Sequence, residues 1–205
     1  MILITSPGPA EGKTTTASNL AGAVAETGFR VLVINCDFRR PRLAAFFHRE
    51  PGPGAIVTTS IGGVDILNEV IEGAATKNPA TVLAAQRKAI HDHVHDYDVI
   101  VLDTAPMLTT NDAVDVLVEA DSVLVVGRAG KTTREAADRA AESLDRRNAP
   151  VIGVVLAGAA DSPSGRYYYY GGKDGYYLSR RRGSKRSEAD ADAGKEMAEA
   201  DDTER

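Results

Sequence analysis

Lys13, Thr14 and Thr15 stand together directly after Gly12, close to the start of the chain. A cation and two hydroxyls behind a glycine suit one kind of chemistry, the holding of a polyphosphate with its magnesium ion. Lys13 would reach the β- and γ-phosphates, and the Thr14 hydroxyl would face the metal. Ahead of them, Ser6 to Glu11 (SPGPAE) has two prolines and a glycine, and Pro7 occupies the position where this pattern usually has its first small residue. Gly8, Pro9, Ala10, Glu11 and Gly12 would form the cradle, with Lys13, Thr14 and Thr15 at its end. Two aspartates follow hydrophobic runs of strand type. Asp37 comes after RVLVIN and Cys36, and Asp103 directly follows YDVIVL. Asp103 is expected to face magnesium directly or through water, and Asp37 to stand beside it, because neighbouring carboxylates without a cation are costly. Arg128 is grouped with the nucleotide contacts. Arg39 and Arg40 would either neutralise phosphate or be solvated.

These residues need a scaffold that brings strand ends together. Met1 to Thr5 is a short apolar strand, and Thr16 to Glu26 is a helix former that stops at Thr27–Gly28. Strand, tight loop and helix make the P-loop arrangement, which aims loop amides and the positive end of the helix dipole at one spot. Further strands are expected over 30–35, 64–67, 97–102, 122–127 and 151–156. Helices are expected over 42–48, from Asn78–Pro79 to about Val94, from Asn111–Asp112 to about Ala120, and over 132–147. Pro51 to Gly54 reads as loop. This alternation implies an α/β fold, a mostly parallel sheet with helices on both faces, and a ligand at the C-terminal edge of its strands.

Composition narrows the class. The chain has 205 residues, 43% of them hydrophobic and 26% charged, enough for one α/β domain with its own core. A net charge of -5 argues against a general nucleic-acid binder. The single cysteine, Cys36, excludes an internal disulfide and fits a reducing cytosol. No apolar run approaches the roughly 20 residues that span a bilayer. The nucleotide-binding domain is therefore expected over 1–157. Residues 158–205 are expected to be a disordered tail, because glycine, serine, tyrosine and charge there show no apolar periodicity. Six of the seven tyrosines lie in that tail, at Tyr167, Tyr168, Tyr169, Tyr170, Tyr176 and Tyr177.

Taken together, SPGPAEGKTTTASNLA, VLVINCDFRRP, the NPATVLAA helix start at Asn78, YDVIVLDTAP and the tyrosine cluster resemble, in the same order, the bacterial tyrosine kinases that control capsule and exopolysaccharide synthesis. The resemblance runs from Met1 to about Tyr177. It implies a fold like that of the cell-division and partition ATPases, use of ATP with Mg²⁺, and autophosphorylation of the tail tyrosines between neighbouring subunits. It also implies control of a membrane polysaccharide co-polymerase or exporter from the inner face of the plasma membrane. A flexible tail suits delivery into a neighbour's site, and phosphate adds roughly -1.5 to -2 charges per tyrosine, which would drive subunits apart.

Three features depart from the family pattern. Asn35 replaces the leading aspartate of the second motif, the residue associated with activating the hydroxyl and organising the metal. An asparagine can offer a carbonyl oxygen but cannot take a proton. Ala157 replaces the asparagine that meets adenine. The helix bearing the Glu-x-x-Arg-x-x-Arg oligomer motif does not precede the first strand, so an N-terminal extension is expected to be missing. Two rival readings follow: a nucleotide-binding regulatory module that no longer transfers phosphate, and a partition- or division-type ATPase. The second lacks support from an early loop lysine, since Gly8 stands at that position. His91, His93 and His95 could suggest metal, but only His91 and His95 would share a helix face. Cys36 is expected to be buried and inert, and the basic block 180–186 to be a solvated linker.

Overall fold

A computed structural model describes residues 1–49 and 52–159. Seven strands form one sheet: β1 (Ile2–Thr5), β2 (Val31–Asn35), β3 (Ile56–Thr58), β4 (Val64–Leu67), β5 (Val99–Asp103), β6 (Ser122–Arg128) and β7 (Val151–Ala157). Their spatial order is β3-β4-β2-β5-β1-β6-β7. Every pairing is parallel except β3 with β4. The helices are α1 (Lys13–Ala25), α2 (Leu43–Phe47), α3 (Pro79–His93), α4 (Asp112–Val116) and α5 (Arg134–Asp145).

Two cores form because successive side chains of a strand point to opposite faces. Ile4, Val31, Val33, Ile66 and Val101 face α1 and α2, where they meet Ala17, Ala21, Leu43 and Phe47. Leu3, Leu32, Ile34 and Leu102 face the other way and meet Ile90, Val116, Ala140 and Leu144 of α3, α4 and α5. Burying a large aliphatic side chain contributes about 1.5–3 kcal/mol, so the doubly covered central strands carry much of the stability. The expected mostly parallel sheet with helices on both faces is the observed one. Small residues at Ala17, Ala21 and Ala25 bring α1 close to the sheet and hence to the strand ends.

Several boundaries differ from expectation. α1 begins at Lys13 rather than Thr16, because the end of the phosphate-type loop is itself the first helical turn. The helix expected over 112–120 is one α-helical stretch followed by a 3₁₀ turn at Leu117–Glu119. β3 was not expected. α3 ends at His93, so His95 lies beyond the helix, and His91 and His95 do not form a helical pair. β7 lies at the sheet edge, with Ile152, Val154 and Leu156 on one face, 61–71% exposed. The tyrosine cluster, the basic block and the expected tail boundary at 158–205 fall almost wholly outside the described residues.

Candidate functional site

The loop after β1 is shaped by backbone strain at two positions. Ala10 takes a left-handed conformation (φ 57°) and Gly12 a more extreme one (φ 109°). At Gly12 a side chain would also meet the Ala157 methyl at 3.4 Å. Gly12 is the N-cap of α1, and no side chain caps that helix, which leaves its first-turn amides for a ligand to satisfy. The loop is braced from within. The Ser6 hydroxyl donates to the Gly8 carbonyl at 2.6 Å, and the Gly8 N–H donates to the Glu11 carboxylate at 2.7 Å. The Met107 N–H donates to the Ser6 carbonyl at 2.9 Å, and the Thr104 hydroxyl to the Ile4 carbonyl at 2.8 Å. The segment after β5 and the entry to the loop are thus held together.

Lys13, Asp37 and Asp103 meet at the C-terminal ends of β1, β2 and β5. Burial holds the Lys13 ammonium below its ordinary pKa, opposed by the charges of Asp103, Asp37 and Glu11. Asp103 is 1% exposed. Burial pushes its carboxyl up to about 6, although the Thr14 hydroxyl and the Lys13 charge both favour ionisation. Asp37 is also raised, chiefly by burial, with the Arg40 N–H on its Oδ1 at 3.2 Å acting against that. The Asp103 Oδ1 is fully buried and has no hydrogen-bond partner. A buried, unpartnered carboxylate oxygen beside a threonine hydroxyl and a second carboxylate is the oxygen-donor set of a hard divalent cation, so the residues present fit magnesium.

Asn35 lies opposite Asp103 in the β2–β5 register, inside this cluster. Both ends of its amide are engaged. Nδ2 donates to the Asn68 carbonyl at 2.8 Å, and Oδ1 accepts from the Asp37 N–H at 3.0 Å. Asn35 therefore fixes the turn that presents Asp37. Arg39 points to Asp112 with two hydrogen bonds, at 2.6 and 3.3 Å, and lies over the Phe38 ring. Its guanidinium is committed there. Arg128 is exposed at the end of β6, against Gly158. Thr15 is exposed on the first turn of α1, as are Pro9 and Ala10 at the loop tip. Cys36 is fully buried, and burial pushes its thiol well above the usual range, an inert environment. His91 pairs with Glu119 and His93 with Asp96, in separate places. Among the described residues no group of three or more histidine, cysteine, aspartate or glutamate side chains is set to hold a metal.

Sequence reasoning did not reach Thr132, Asn68 or Asp112. Thr132 donates to the Glu11 carboxylate at 2.6 Å across 121 residues, and no local pattern announces such a contact. A cleft of about 400 Å³ beside Arg30, Asp65 and Tyr97 opens near the N-terminal ends of β2, β4 and β5, away from this cluster.

Residues 2–167 match the model of the CobQ/CobB/MinD/ParA nucleotide binding domain family. The chain belongs to that family. Within it, the tyrosine-protein kinase YwqD of Bacillus subtilis is 32% identical over 190 residues, 85% of this chain and 79% of that protein. The putative tyrosine-protein kinase CapB of Staphylococcus aureus is 30% identical, with 84% of this chain and 81% of CapB covered. The chain is thus a member of the bacterial tyrosine kinase branch. Among solved structures, the kinase domain of VpsO superposes with a TM-score of 0.68 at 29% identity, over 76% of this chain and 82% of that one.

Proposed function

We propose that the chain is an ATP- and Mg²⁺-dependent protein-tyrosine autokinase that regulates the synthesis or export of a capsule or exopolysaccharide. The observation that carries this reading is the unpartnered, buried Asp103 Oδ1 at the mouth of a P-loop whose lysine and threonine stand beside it. The tyrosine-kinase relatives support the same reaction class. A bound magnesium nucleotide would supply the phosphoryl group and the positive charge that offsets the phosphates. Lys13 and the N–H groups of residues 10–15 would hold those phosphates, with Arg128 at the outer end of the site. Thr14, Asp103 and Asp37 are the metal-side oxygens. Asn35 orients the Asp37 turn and cannot accept a proton, so acceptance of the tyrosine proton falls to Asp37. The acceptors are Tyr167 to Tyr170, Tyr176 and Tyr177, offered to a neighbouring copy of the chain. A membrane polysaccharide co-polymerase is the proposed activator and would bring the chain to the inner face of the plasma membrane. Among the described residues no helix is long and apolar enough to cross a membrane.

A second reading is favoured by the engaged amide of Asn35: a regulatory module that binds nucleotide without transferring phosphate. Intact-mass spectrometry after incubation with Mg-ATP separates the two, with Lys13→Ala and Asn35→Asp in parallel and with the cytoplasmic segment of a candidate membrane partner added. Phosphate increments on the tail of the native chain, absent in Lys13→Ala, establish the kinase. Phosphate on Asn35→Asp alone makes the native chain a regulatory module.

A further inference from the structure

Glu11 is a buried carboxylate inside a loop that has to receive a polyanion. It is 2% exposed. Left free, its charge would oppose phosphate binding, so the structure has to account for it. Both oxygens hold donors. Oε2 accepts from the Gly8 N–H at 2.7 Å, at the start of the loop. Oε1 accepts from the Thr132 hydroxyl at 2.6 Å, and the Thr132 oxygen accepts in turn from the Arg128 N–H at 2.7 Å. The turn that carries Thr132 is closed by two backbone bonds, from the Lys131 and Thr132 N–H groups to the Arg128 carbonyl at 3.0 and 2.9 Å. Directly after it, Thr133 caps α5 by accepting the Ala136 N–H at 3.1 Å. The hydrogen bonds therefore run without a break from Gly8 through Glu11 and Thr132 to Arg128, from the phosphate loop to a closed turn at the end of β6.

We infer that Glu11 and Thr132 are positioning residues, a strut that sets the phosphate loop in its accepting shape before nucleotide arrives. This rests on the nucleotide-site reading above. The strut performs two tasks: it fixes the Gly8–Gly12 backbone against the turn, and it gives each oxygen of a buried carboxylate a donor, so that Glu11 stays locked in one place within the loop. A loop ordered in advance loses less entropy on binding. Thr132 touches no reacting atom, and its effect is exerted through Glu11.

The test uses the full chain with Thr132→Val, which keeps the shape and removes the hydroxyl, and Thr132→Ser, which restores it. Thr133→Ala controls for weakening of α5. In the nucleotide-free chain, the Gly8 amide should exchange with solvent about tenfold faster in Thr132→Val than in the native protein or Thr132→Ser. Calorimetric titration with Mg-ATP should show affinity about tenfold weaker in Thr132→Val, restored to within about twofold by Thr132→Ser. Thr133→Ala should lower the unfolding midpoint yet bind Mg-ATP as the native chain does. Unchanged Gly8 exchange and unchanged affinity in Thr132→Val overturn the strut alone. Failure of the native chain to bind Mg-ATP overturns the nucleotide reading and the strut with it. Equal losses in Thr132→Val, Thr132→Ser and Thr133→Ala reduce the contact to ordinary structure and overturn the positioning role.

Discussion

At neutral pH the Asp103 carboxylate is held ionised in a place that disfavours it. Its carboxyl titrates near 6 in the folded chain, against an ordinary value of 3.8. The folded state then binds the proton more tightly than the unfolded one, so stability falls as pH rises between these values, and the full penalty applies above the higher one. Asp103→Asn should therefore stabilise the nucleotide-free chain at pH 7 by on the order of 3 kcal/mol. Thermal unfolding from pH 4 to pH 8 would reveal a gain that fades toward the acid end. The same variant should lose any protection by Mg-ATP if Asp103 is the metal ligand proposed above. Asn35 behaves oppositely. Asn35→Asp turns a donor into an acceptor where Nδ2 now meets the Asn68 carbonyl at 2.8 Å, leaving two oxygens face to face. It should cost about 1–3 kcal/mol, measured as a shift of the urea midpoint, and Mg-ATP should recover part of that loss. That Lys13, Thr14, Asp37 and Asp103 come together at the strand ends could be read from motif and spacing, because each ends or follows a strand or opens a helix. The engaged amide of Asn35 could not, because its partner, Asn68, lies 33 residues away.

Among the elements, those buried on both faces or closed by caps were the legible ones. α3 begins at Asn78–Pro79, as the sequence pattern indicates, with the Asn78 side chain accepting the Ala80 N–H at 2.9 Å. Asn78→Ala should lower stability by about 1 kcal/mol in chemical denaturation, without changing nucleotide affinity. β2 is buried at all five positions and announces itself by an unbroken apolar run. β3 does not. It has three residues, Ile56 and Val57 half-buried and Thr58 exposed, after a stretch rich in proline and glycine. Its pairing with β4 is tertiary, so no periodicity records it. The 3₁₀ turn after α4 is equally silent, because its residues suit either helix type.

On the scale of the molecule, the two edges of the sheet are finished differently. β3 closes one side with a short antiparallel strand. β7 leaves Ile152, Val154 and Leu156 largely open on one face at the other. Replacing Ile152 and Val154 together by threonine should change stability by no more than about 0.5 kcal/mol per site, because so little burial is lost. Light scattering at high concentration should fall, as a contiguous apolar stripe is broken. The strand order also bears on how the polypeptide is made. β1 lies inside the sheet and pairs with β5 and β6, Ile2 beside Val101 and Leu3 beside Val123. Both partners leave the ribosome roughly a hundred residues later, on the order of ten seconds at usual rates of synthesis. Throughout that interval the strand on which the phosphate loop is built has nothing to pair with. The nascent chain must keep it unpaired and out of aggregates until β6 has emerged, and the nucleotide site becomes one of the last parts of the domain to exist.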